Sequence, residues 1–441
     1  MSLIPQPIVA RLSAPSVARD GLLLASVEVE VEVDPLEFVR SGVDLFGSAY
    51  FFTSPEGTSV GGLGTAWKRS ASGPDRFSRL RDAVGALDLP EPFRALVGFA
   101  FSADGPQSEA WAAFGSADAV VPRVSVVRSS GRTHLLLAVP AGSSVEAVLG
   151  PIRSLERPAE PPYPDLGDHA LESSPPVANW RTAVAEAVSA IHNDAFRKVV
   201  LSRSVVVRSV AAPRGFDLLH HLQRSYRRCH SFAWSPGTAT FLGASPELLI
   251  RLEKGAITSN PLAGSAPRGE GEEEDRAYAE TLMRSEKDRI EHRYVVDDVV
   301  TRLSPFATQL DVARTPSLKR MATVQHLSTR IAGSAEPGTH VLDLVDAIHP
   351  TPAVGGTPRP EAVSFIEKVE GFDRGWYSGG VGWVDGSGDG EFALGLRCGL
   401  IDGTRAHVFA GAGIVADSDP ELELLETRLK LRPMLELLAA T

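Results

Sequence analysis

Two long runs of strand-like sequence, separated by helical sequence, constrain the fold of this chain more than any other feature. Residues 232–265 and 379–415 each alternate apolar segments with Gly, Asp or Pro turns, a pattern typical of antiparallel strands joined by short loops. Residues 273–303 between them and residues 419–439 after them carry apolar side chains at helical spacing. Strands grouped in runs, with helices between the runs, predict an α+β protein rather than one built from alternating βαβ units.

The segment 151–176 divides the chain by composition. It contains seven prolines, which favour irregular backbone over helices and strands. A length of 441 residues also allows about three domains. By residue pattern alone, the segment is either a surface loop or a seam between two halves. In the N-terminal half, residues 26–33 alternate valine and glutamate, which predicts a half-buried strand.

Composition excludes several classes of function. The formal net charge is -11, whereas nucleic-acid-binding proteins present a basic surface. The sequence has no run of about 18 apolar residues, so we expect no membrane-spanning helix and no membrane partner. The N-terminus lacks the apolar core of a signal peptide, and the two cysteines, Cys229 and Cys398, stand in unrelated contexts. We therefore expect a cytoplasmic protein that binds no nucleic acid.

Two helical segments each carry a pair of carboxylates. Asp288 and Glu291 are three residues apart, and so are Glu423 and Glu426, with Lys430 four residues further on. This spacing places side chains on one face of a helix. Either pair alone is typical of a solvated helix face. If the two faces met, they would supply up to four oxygen ligands of the hard kind that Mg²⁺ prefers.

Two further residues could act as a base and an acid. Lys198 opens an apolar, strand-like segment in which a cation is not needed for packing. Burial or a neighbouring cation lowers the pKa of a lysine and makes it a usable general base. Glu247 lies between a proline and two leucines, and an apolar setting keeps a carboxyl protonated, as a general acid requires. The ordinary alternatives are a lysine that reaches solvent from a strand end and an exposed turn carboxylate.

A glycine-containing segment near the C-terminus could bind an anion. Residues 409–415 predict a strand that runs into a turn before the last helix, where Gly411 and Gly413 would leave backbone N–H groups open to a ligand. Arg397, on the preceding strand, could form paired hydrogen bonds to a carboxylate, although an isolated arginine is more often a surface ion-pair partner. We reject a dinucleotide-binding fold because there is no third glycine and only about 26 residues remain.

Several motifs together identify a family. The chain contains, in the order found in chorismate-utilising enzymes, the motifs KVVLSR, SPELL, NPLAGSAPRG, EKDRIEH, HPTPAVGGTP, FDRGWYSGGVGW, FAGAGIV and ELLETRLK. It resembles that family over about residues 176–438. The resemblance implies a single domain over residues 1–441, with two large antiparallel β-sheets packed together, helices outside, and the active site between the sheets. Residues 1–150 would be the N-terminal part of the sheet sandwich, residues 151–176 an internal connection, and residues 177–441 the catalytic part.

Two positions favour the isochorismate synthases within this family. Relatives that use ammonia tend to have Gln at the position of Lys198, and a neutral amide cannot take a proton from water. Ammonia users and salicylate synthases tend to have Thr at the position of Ala353, in the uncharged loop 349–358. The resemblance makes this loop a wall of the substrate pocket, whose role is shape and the exclusion of water. The implied activity is the Mg²⁺-dependent, reversible isomerisation of chorismate to isochorismate.

The resemblance also implies a metal site. Glu291 and Glu426 would hold Mg²⁺ against one carboxylate of chorismate. Asp288 and Glu423 would support the ion directly or through water.

The remaining candidates would surround the substrate and carry out the reaction. Lys198 would deprotonate a water that attacks C2 of the ring, and Glu247 would protonate the departing 4-hydroxyl. The other carboxylate of chorismate would meet Arg397, Lys430 and the backbone near Gly411. The residues expected along the substrate are Gly264, Ser265, His326, Ala353, Tyr377, Arg397, Gly411, Gly413 and Lys430.

Three alternatives stay open on the sequence. A salicylate synthase would use the same lysine-activated water and then eliminate pyruvate, and only Ala353 speaks against it. An anthranilate or aminodeoxychorismate synthase would attack with ammonia, which Lys198 disfavours. A non-catalytic subunit that only binds Mg²⁺ or an anion would not need Lys198, Glu247 and both carboxylate pairs. For the favoured activity we expect no glutaminase subunit, a monomer or weak homodimer, and a role in menaquinone, siderophore or salicylate biosynthesis.

Overall fold

The computed structural model describes residues 3–14 and 17–438 of the chain. Within these ranges the strands form two large sheets, of 13 and nine strands, and one three-stranded sheet. Every strand pairing in this part of the chain is antiparallel. Helices pack against the sheets, which confirms the α+β class and the two large antiparallel sheets. No helix in the described ranges is both long and apolar enough to cross a membrane.

The strands are β1 (Val17–Arg19), β2 (Leu22–Glu28), β3 (Ala49–Thr53), β4 (Ser59–Leu63), β5 (Trp67–Ala71), β6 (Ala95–Phe99), β7 (Ala117–Val121), β8 (Val124–Ser129), β9 (Arg132–Pro140), β10 (His169–Ser174), β11 (Lys198–Ser209), β12 (His230–Ser235), β13 (Thr240–Ser245), β14 (Leu248–Glu253), β15 (Ala256–Ser259), β16 (Leu262–Pro267), β17 (Ala307–Val312), β18 (Ser317–Arg320), β19 (Val324–Ser328), β20 (Ile331–Ala335), β21 (Gly356–Thr357), β22 (Gly380–Val384), β23 (Gly390–Leu394), β24 (Cys398–Asp402) and β25 (Arg405–Ile414).

The α-helices are α1 (Gln6–Arg11), α2 (Pro35–Phe46), α3 (Arg76–Ala86), α4 (Val145–Arg153), α5 (Val177–His192), α6 (Gly215–Ser225), α7 (Glu272–Arg284), α8 (Glu286–Leu303), α9 (Val341–Ile348), α10 (Arg359–Val369) and α11 (Pro420–Leu438). Short 3₁₀ helices cover Glu109–Trp111 and Ser304–Phe306.

Both large sheets take strands from both sides of the segment 151–176. The first sheet has the order β1-β2-β9-β8-β4-β3-β12-β13-β24-β25-β11-β10, with β21 paired to β11. The second has the order β17-β20-β15-β14-β23-β22-β6-β7-β5, and the small sheet has the order β16-β19-β18. Within the segment itself, α4 extends to Arg153 and β10 covers His169–Ser174, so its irregular parts are residues 154–168 and 175–176.

The largest apolar cluster joins the two large sheets. It contains Phe52 and Trp234 from the first sheet and Phe99 and Phe392 from the second, none of them more than 1% exposed. Two further clusters lie between the first sheet and the helices: one includes residues of α2, α4, α6 and the C-terminal half of α11. The other includes residues of α5, α10 and the N-terminal half of α11. The first ten residues of β11 are buried on both faces for this reason, which explains why two apolar runs, 199–201 and 205–207, replace a strict alternation.

The strand predicted over residues 26–33 ends early. β2 stops at Glu28, although Val29 and Val33 remain buried and Val31 is 43% exposed. The neighbouring strand β9 begins at Arg132, opposite this point, so residues beyond Val29 have no strand to pair with. The alternation therefore predicts burial correctly at Val27, Val29 and Val33 but not at Val31, and it predicts too long a strand.

The helical pattern over residues 273–303 is two helices instead of one. Ser285 separates α7 from α8 with an extended backbone (ψ 117°), and its side chain accepts a hydrogen bond from the Asp288 N–H as the N-cap of α8. As a consequence, Lys287, Asp288 and Glu291 stand in the first two turns of α8.

The turn predicted within residues 409–415 is also wrong. Gly411 and Gly413 both lie inside β25, in register with Ser202 and Val200 of β11. The strand continues to Ile414, so these glycines form part of a sheet beside β11 and not an anion-binding turn.

Candidate active site

A cleft bounded by β11, β25, β16, β19, α8 and the loop 349–358 contains most of the residues predicted from the sequence. Its open space, mouth included, is about 610 Å³. The remaining predicted residues, Lys198, Asp288, Glu423 and Glu426, lie behind this lining. The predicted residues that line the cleft are Glu247, Gly264, Ser265, Glu291, His326, Ala353, Tyr377, Arg397, Gly411, Gly413 and Lys430.

Lys198 is held inside the protein at the start of β11. It is 1% exposed, and its Nζ lies 3.0 Å from Oε1 of Glu291 on α8. Gly413 on the adjacent strand leaves the room for this contact, since a Cβ there would lie 3.1 Å from Cε of Lys198 and would collide with Oε1 of Glu291. The lysine therefore faces a carboxylate of the cleft and not bulk solvent.

Glu247 lies in the turn between β13 and β14 and is 3% exposed. Its Oε1 accepts a hydrogen bond from the Leu262 N–H at 3.3 Å. Burial raises the pKa of Glu247 to about 7, although that hydrogen bond and three nearby cations oppose the rise. The cations are Lys198, Lys319 and Arg397. A carboxyl with such a pKa is protonated often enough at neutral pH to act as a general acid.

The two carboxylate-bearing helices meet beside the cleft. Lys287 of α8 reaches across to Glu423 of α11, and this ion pair joins the two faces. Three of the four acidic side chains are paired with a lysine in this way. The pairs are Lys198–Glu291 (3.0 Å), Lys287–Glu423 (2.8 Å) and Lys430–Glu426 (2.5 Å).

The acidic side chains are crowded and partly dry. Burial, with the negative charge of Glu426 beside it, raises the pKa of Glu423 to about 7. Burial also raises the pKa of Asp288, with smaller contributions from Glu291 and Glu426. Burial acts in the same direction on Glu426, but the ion pair with Lys430 outweighs it and holds the pKa of Glu426 below its usual value. An additional cation would be electrostatically favoured here.

This donor set fits Mg²⁺ in chemistry and in charge, because all four donors are carboxylates and the ion prefers hard oxygen ligands. Their present arrangement is not that of a closed coordination shell: no three His, Cys, Asp or Glu side chains in the described ranges are grouped closely enough to hold a metal ion as they stand. Binding would require the carboxylates to turn from their lysines toward the ion.

Arg397 and His326 form a fixed pair on the opposite wall. Arg397 has a left-handed backbone (φ 49°), which is unusual for a residue other than glycine. Its Nη2 donates to Nε2 of His326 at 3.0 Å, so the imidazole proton must lie on Nδ1. Nδ1 lies 3.2 Å from the Gly264 carbonyl and 3.1 Å from Oγ of Ser265. Burial, together with Arg397 and Lys430, holds the pKa of His326 well below its usual value, which keeps the ring neutral.

The two glycines of β25 permit side chains to approach closely. A Cβ on Gly411 would lie 2.7 Å from Oγ of Ser202 and 2.9 Å from the hydroxyl of Tyr377. The Gly411 carbonyl accepts a hydrogen bond from Nζ of Lys430 at 2.9 Å. Tyr377 is 3% exposed, and its ring stacks on Phe409 with centroids 5.2 Å apart. Gly411 and Gly413 thus contribute by lacking side chains, which leaves space for the neighbouring residues.

A buried ion pair fixes the loop 349–358 against β11. Arg374 and Glu370 are each 4% exposed and form an ion pair in which Nε donates to Oε2 at 2.7 Å. Arg374 also donates to the carbonyls of Val354 and Val200, at 2.7 and 2.8 Å, and both of these residues line the cleft. Glu370 in turn accepts from the Ser202 N–H at 2.7 Å. The pair therefore sets the distance between the loop and β11.

Sequence reasoning missed Glu370, Arg374 and Lys319. The first two are an acid and an arginine four residues apart, but the exposed pair Arg432 and Glu436 has the same spacing. Lys319, on β18, donates to the Pro246 carbonyl at 2.6 Å and so lies beside the candidate acid. Arg374 lies within the motif FDRGWYSGGVGW, but local sequence carried no signal that distinguishes Glu370 and Lys319 from surface charges.

The chain is similar to known proteins over most of its length. Residues 13–439 match the family model described as chorismate binding enzyme. The chain is 35% identical to the salicylate biosynthesis isochorismate synthase of Pseudomonas aeruginosa, over 97% of this chain and 92% of that protein. It is 31% identical to the isochorismate synthase MenF of Bacillus subtilis, over 94% and 93% of the two chains.

A solved structure has the same architecture. MenF, the menaquinone-specific isochorismate synthase from Escherichia coli, superposes with a TM-score of 0.81 at 25% identity and covers 95% of each chain. The similarity thus spans both halves of the chain and includes the elements that form the cleft. This chain belongs to the family of chorismate-binding enzymes.

Proposed function

We propose that this protein is an isochorismate synthase that converts chorismate to isochorismate with water as the nucleophile. The observation that carries the proposal is that Glu247 lines the cleft while Lys198 lies directly behind the lining, against Glu291, where its charge acts on the buried carboxyl of Glu247. The reaction must remove a proton from water and deliver a proton to the substrate. A lysine can serve as the base, and the carboxyl of Glu247, whose pKa is near 7, can serve as the acid.

Charge orients the substrate in this proposal. Chorismate carries two carboxylates, and the cleft has cationic groups on one wall and acidic groups on another. Arg397, held by His326, and Lys430 would receive one carboxylate directly. The other would point toward Glu291 and the acidic side chains behind it.

Mg²⁺ is the cation that these acidic groups would bind. Glu291 and Glu426 would hold it, with Asp288 and Glu423 beside them, and the bound ion would supply the positive charge that allows a substrate carboxylate to approach them. The raised pKa values of Asp288 and Glu423 support this proposal, since burial and the neighbouring carboxylates both disfavour their negative charge and a bound cation would offset this.

The reaction then needs one proton to leave water and another to reach the substrate. Lys198 takes the proton from water as its oxygen forms a bond to C2 of the ring. The ring double bonds shift, the bond from C4 to its hydroxyl breaks, and Glu247 protonates that hydroxyl so that it leaves as water. The hydroxyl has moved with no net change in atoms, so the exchange is near balance and reversible.

The wall formed by the loop 349–358 supports water as the nucleophile over the alternatives. Ala353 contributes only a methyl group to the cleft, and the rest of the loop is uncharged. Such a wall excludes bulk water and offers no group that would assist a further elimination step. Pyruvate elimination is therefore not part of the proposed reaction.

We also propose a cytoplasmic setting without a glutaminase subunit. Cys229 and Cys398 are buried and free, as expected in a reducing compartment. Water needs no ammonia-producing partner. The product would feed menaquinone, siderophore or salicylate formation, since the relatives are named for salicylate biosynthesis and for menaquinone.

Incubation of the purified protein with chorismate tests the proposal, with products separated by chromatography. We expect isochorismate with Mg²⁺ and none when EDTA is in excess. Free pyruvate together with salicylate would replace the proposal by a salicylate synthase. Incorporation of labelled ammonium into an aromatic product would replace it by an anthranilate or aminodeoxychorismate synthase, and absence of any turnover with Mg²⁺ would leave only a binding role.

A further inference from the structure

Arg203 is a buried cation without a partner. It is 5% exposed, and its Nε and Nη1 are buried with no hydrogen-bond acceptor among the described residues. Two other buried arginines are well satisfied: Arg76 donates to the carbonyls of Ala100 and Ser116, and Arg374 is paired with Glu370. Arg203 is therefore an exception that packing within the chain does not explain.

Among the residues that the structure describes, the charged neighbour that acts on Arg203 is a second arginine, Arg428. Burial lowers the pKa of Arg203, and the positive charge of Arg428 on α11 lowers it further. Arg428 is exposed, and within residues 3–14 and 17–438 it too forms no ion pair or hydrogen bond. Two like charges thus lie near each other, one of them buried, where an anion between them would relieve both the burial and the repulsion.

The position of Arg203 in the sheet separates it from the cleft. Side chains alternate along β11, so Lys198 and Ser202 face the cleft while Arg203 faces the opposite layer, formed by α5 and α11. Its neighbours on that face are Leu201, in the apolar cluster with α5, and Val205, in the cluster with the C-terminal half of α11. Arg203 occupies the gap between these two clusters.

A further unsatisfied donor belongs to the same layer. The Nε1 of Trp180, at the start of α5, is buried and has no acceptor within the described part of the chain. Trp180 packs in the cluster that contains Leu201 and Leu424. The α5–α11–β11 layer therefore contains guanidinium and indole donors without a matching acceptor.

We propose that Arg203 and Arg428 form a binding site for a small oxyanion, a carboxylate or a phosphate, on the face of the first sheet opposite to the cleft. The planar guanidinium group matches the oxygen spacing of both anions and binds them with paired hydrogen bonds. Arg428 provides the solvent-facing side of the site and Arg203 the buried side.

Thermal unfolding of the whole protein, titrated with inorganic phosphate or with formate against sodium chloride of equal ionic strength, tests the site. We expect a saturable rise in Tm of about 1–3 °C with at least one of the two anions. The anion with the larger effect identifies the chemical class. Because Arg428 is exposed, Arg428→Gln should fold normally and retain wild-type turnover without added anion, but lose the rise in Tm.

Two further variants separate this site from the cleft and guard against misfolding. Arg203→Gln should lose the rise as Arg428→Gln does. Arg397→Gln, which removes the arginine of the cleft, should keep it. The proposal is overturned if neither anion raises Tm beyond chloride, if Arg428→Gln responds as the wild type does, or if the rise disappears in Arg397→Gln and persists in Arg428→Gln.

Discussion

Burial gives Lys198 and Glu247 their proposed roles. Each is at most 3% exposed. Lys198 forms an ion pair with Glu291, a residue that itself lines the cleft. Glu247 forms no ion pair with another described residue, and its side chain accepts a hydrogen bond from the Leu262 N–H at 3.3 Å. Glu247 can therefore act directly on a molecule in the cleft, and Lys198 reaches the cleft beside Glu291.

Replacement of Lys198 by glutamine tests the base directly. The amide of Lys198→Gln can still donate to Glu291 but cannot take a proton from water. We expect kcat for isochorismate formation to fall by about 10²- to 10⁴-fold, with KM for chorismate nearly unchanged. Steady-state kinetics measure both constants. Lys368→Gln, an exposed substitution on α10, is the control and should behave as wild type; turnover by Lys198→Gln within a few-fold of that control would exclude Lys198 as the base.

The raised pKa of Glu247 also predicts a pH-dependent cost in stability. Between the usual value of 4.5 and about 7, the folded state keeps a proton that the unfolded state releases, so stability falls as pH rises through this window. Above pH 7 the cost is fully present, and below about 4.5 it is absent. Glu247→Gln avoids the charge, and we expect it to be more stable than wild type at pH 8 by about 2–3 kcal/mol.

Urea unfolding at pH 4.5 and pH 8 measures this difference. The gain of Glu247→Gln should shrink to near zero at the lower pH. Glu367→Gln, an exposed substitution on α10, should show no gain at either pH. A Glu247→Gln protein that is less stable than wild type at pH 8 would contradict the raised pKa.

At the scale of elements, the pairing of β25 with β11 sets the position of the base. Gly413 stands opposite Val200 and leaves room for Glu291 to reach Lys198. The same strand pair leaves room at Gly411 for Tyr377 and Ser202. The lack of side chains at Gly411 and Gly413 is thus required by the side chains that approach this part of the sheet from other elements.

Substitution of Gly413 by alanine should damage the site more than the fold. The new methyl group would displace Glu291 and so separate it from Lys198, at a cost of about 1–3 kcal/mol for the added volume. We expect at least a tenfold loss of turnover, measured alongside the Tm. Gly85→Ala is the matched control, because a Cβ there meets no atom within 4 Å and a helix favours alanine. Full activity in a folded Gly413→Ala protein would show that this contact does not matter.

The buried pair Glu370 and Arg374 should carry much more stability than a similar pair at the surface. Arg374→Ala leaves the buried carboxylate of Glu370 without its cation and removes the hydrogen bonds to two buried carbonyls, which costs about 3–5 kcal/mol. Arg432→Ala removes a pair with the same four-residue spacing, but its side chains are 58% and 55% exposed, and we expect a loss below about 1 kcal/mol. Urea unfolding measures the stability lost in each variant. Equal losses would contradict the proposal that the Glu370–Arg374 ion pair fixes the loop 349–358.

At the scale of the whole molecule, the sheets bring together residues from distant parts of the chain. Lys287 and Glu423 are 136 positions apart, and Ser202 and Glu370 are 168 apart. Each large sheet combines strands from before and after the segment 151–176. The cleft consequently depends on the closure of the whole sandwich and not on one local motif.

The sequence predicted the fold class and most of the residues that converge on the cleft, because motifs and apolar periodicity are local. It predicted Gly411 and Gly413 in a turn, whereas both lie in a strand that continues to Ile414, because glycines occur in turns and also in strands that other groups approach closely. It could not predict which lysines pair with the carboxylates, or that Glu370 and Arg374 form a buried ion pair. Those depend on the order of strands within the sheets and on side-chain burial, which the apolar pattern of one segment does not contain.

The central claim is that water, activated at Lys198, supplies the new hydroxyl group while the original one departs through Glu247. Isochorismate formed in ¹⁸O-labelled water and analysed by mass spectrometry tests this most directly. The account predicts one ¹⁸O atom per product molecule, located on the C2 hydroxyl. An unlabelled C2 hydroxyl would mean that the hydroxyl group migrates within the substrate, and it would contradict the roles assigned to both residues.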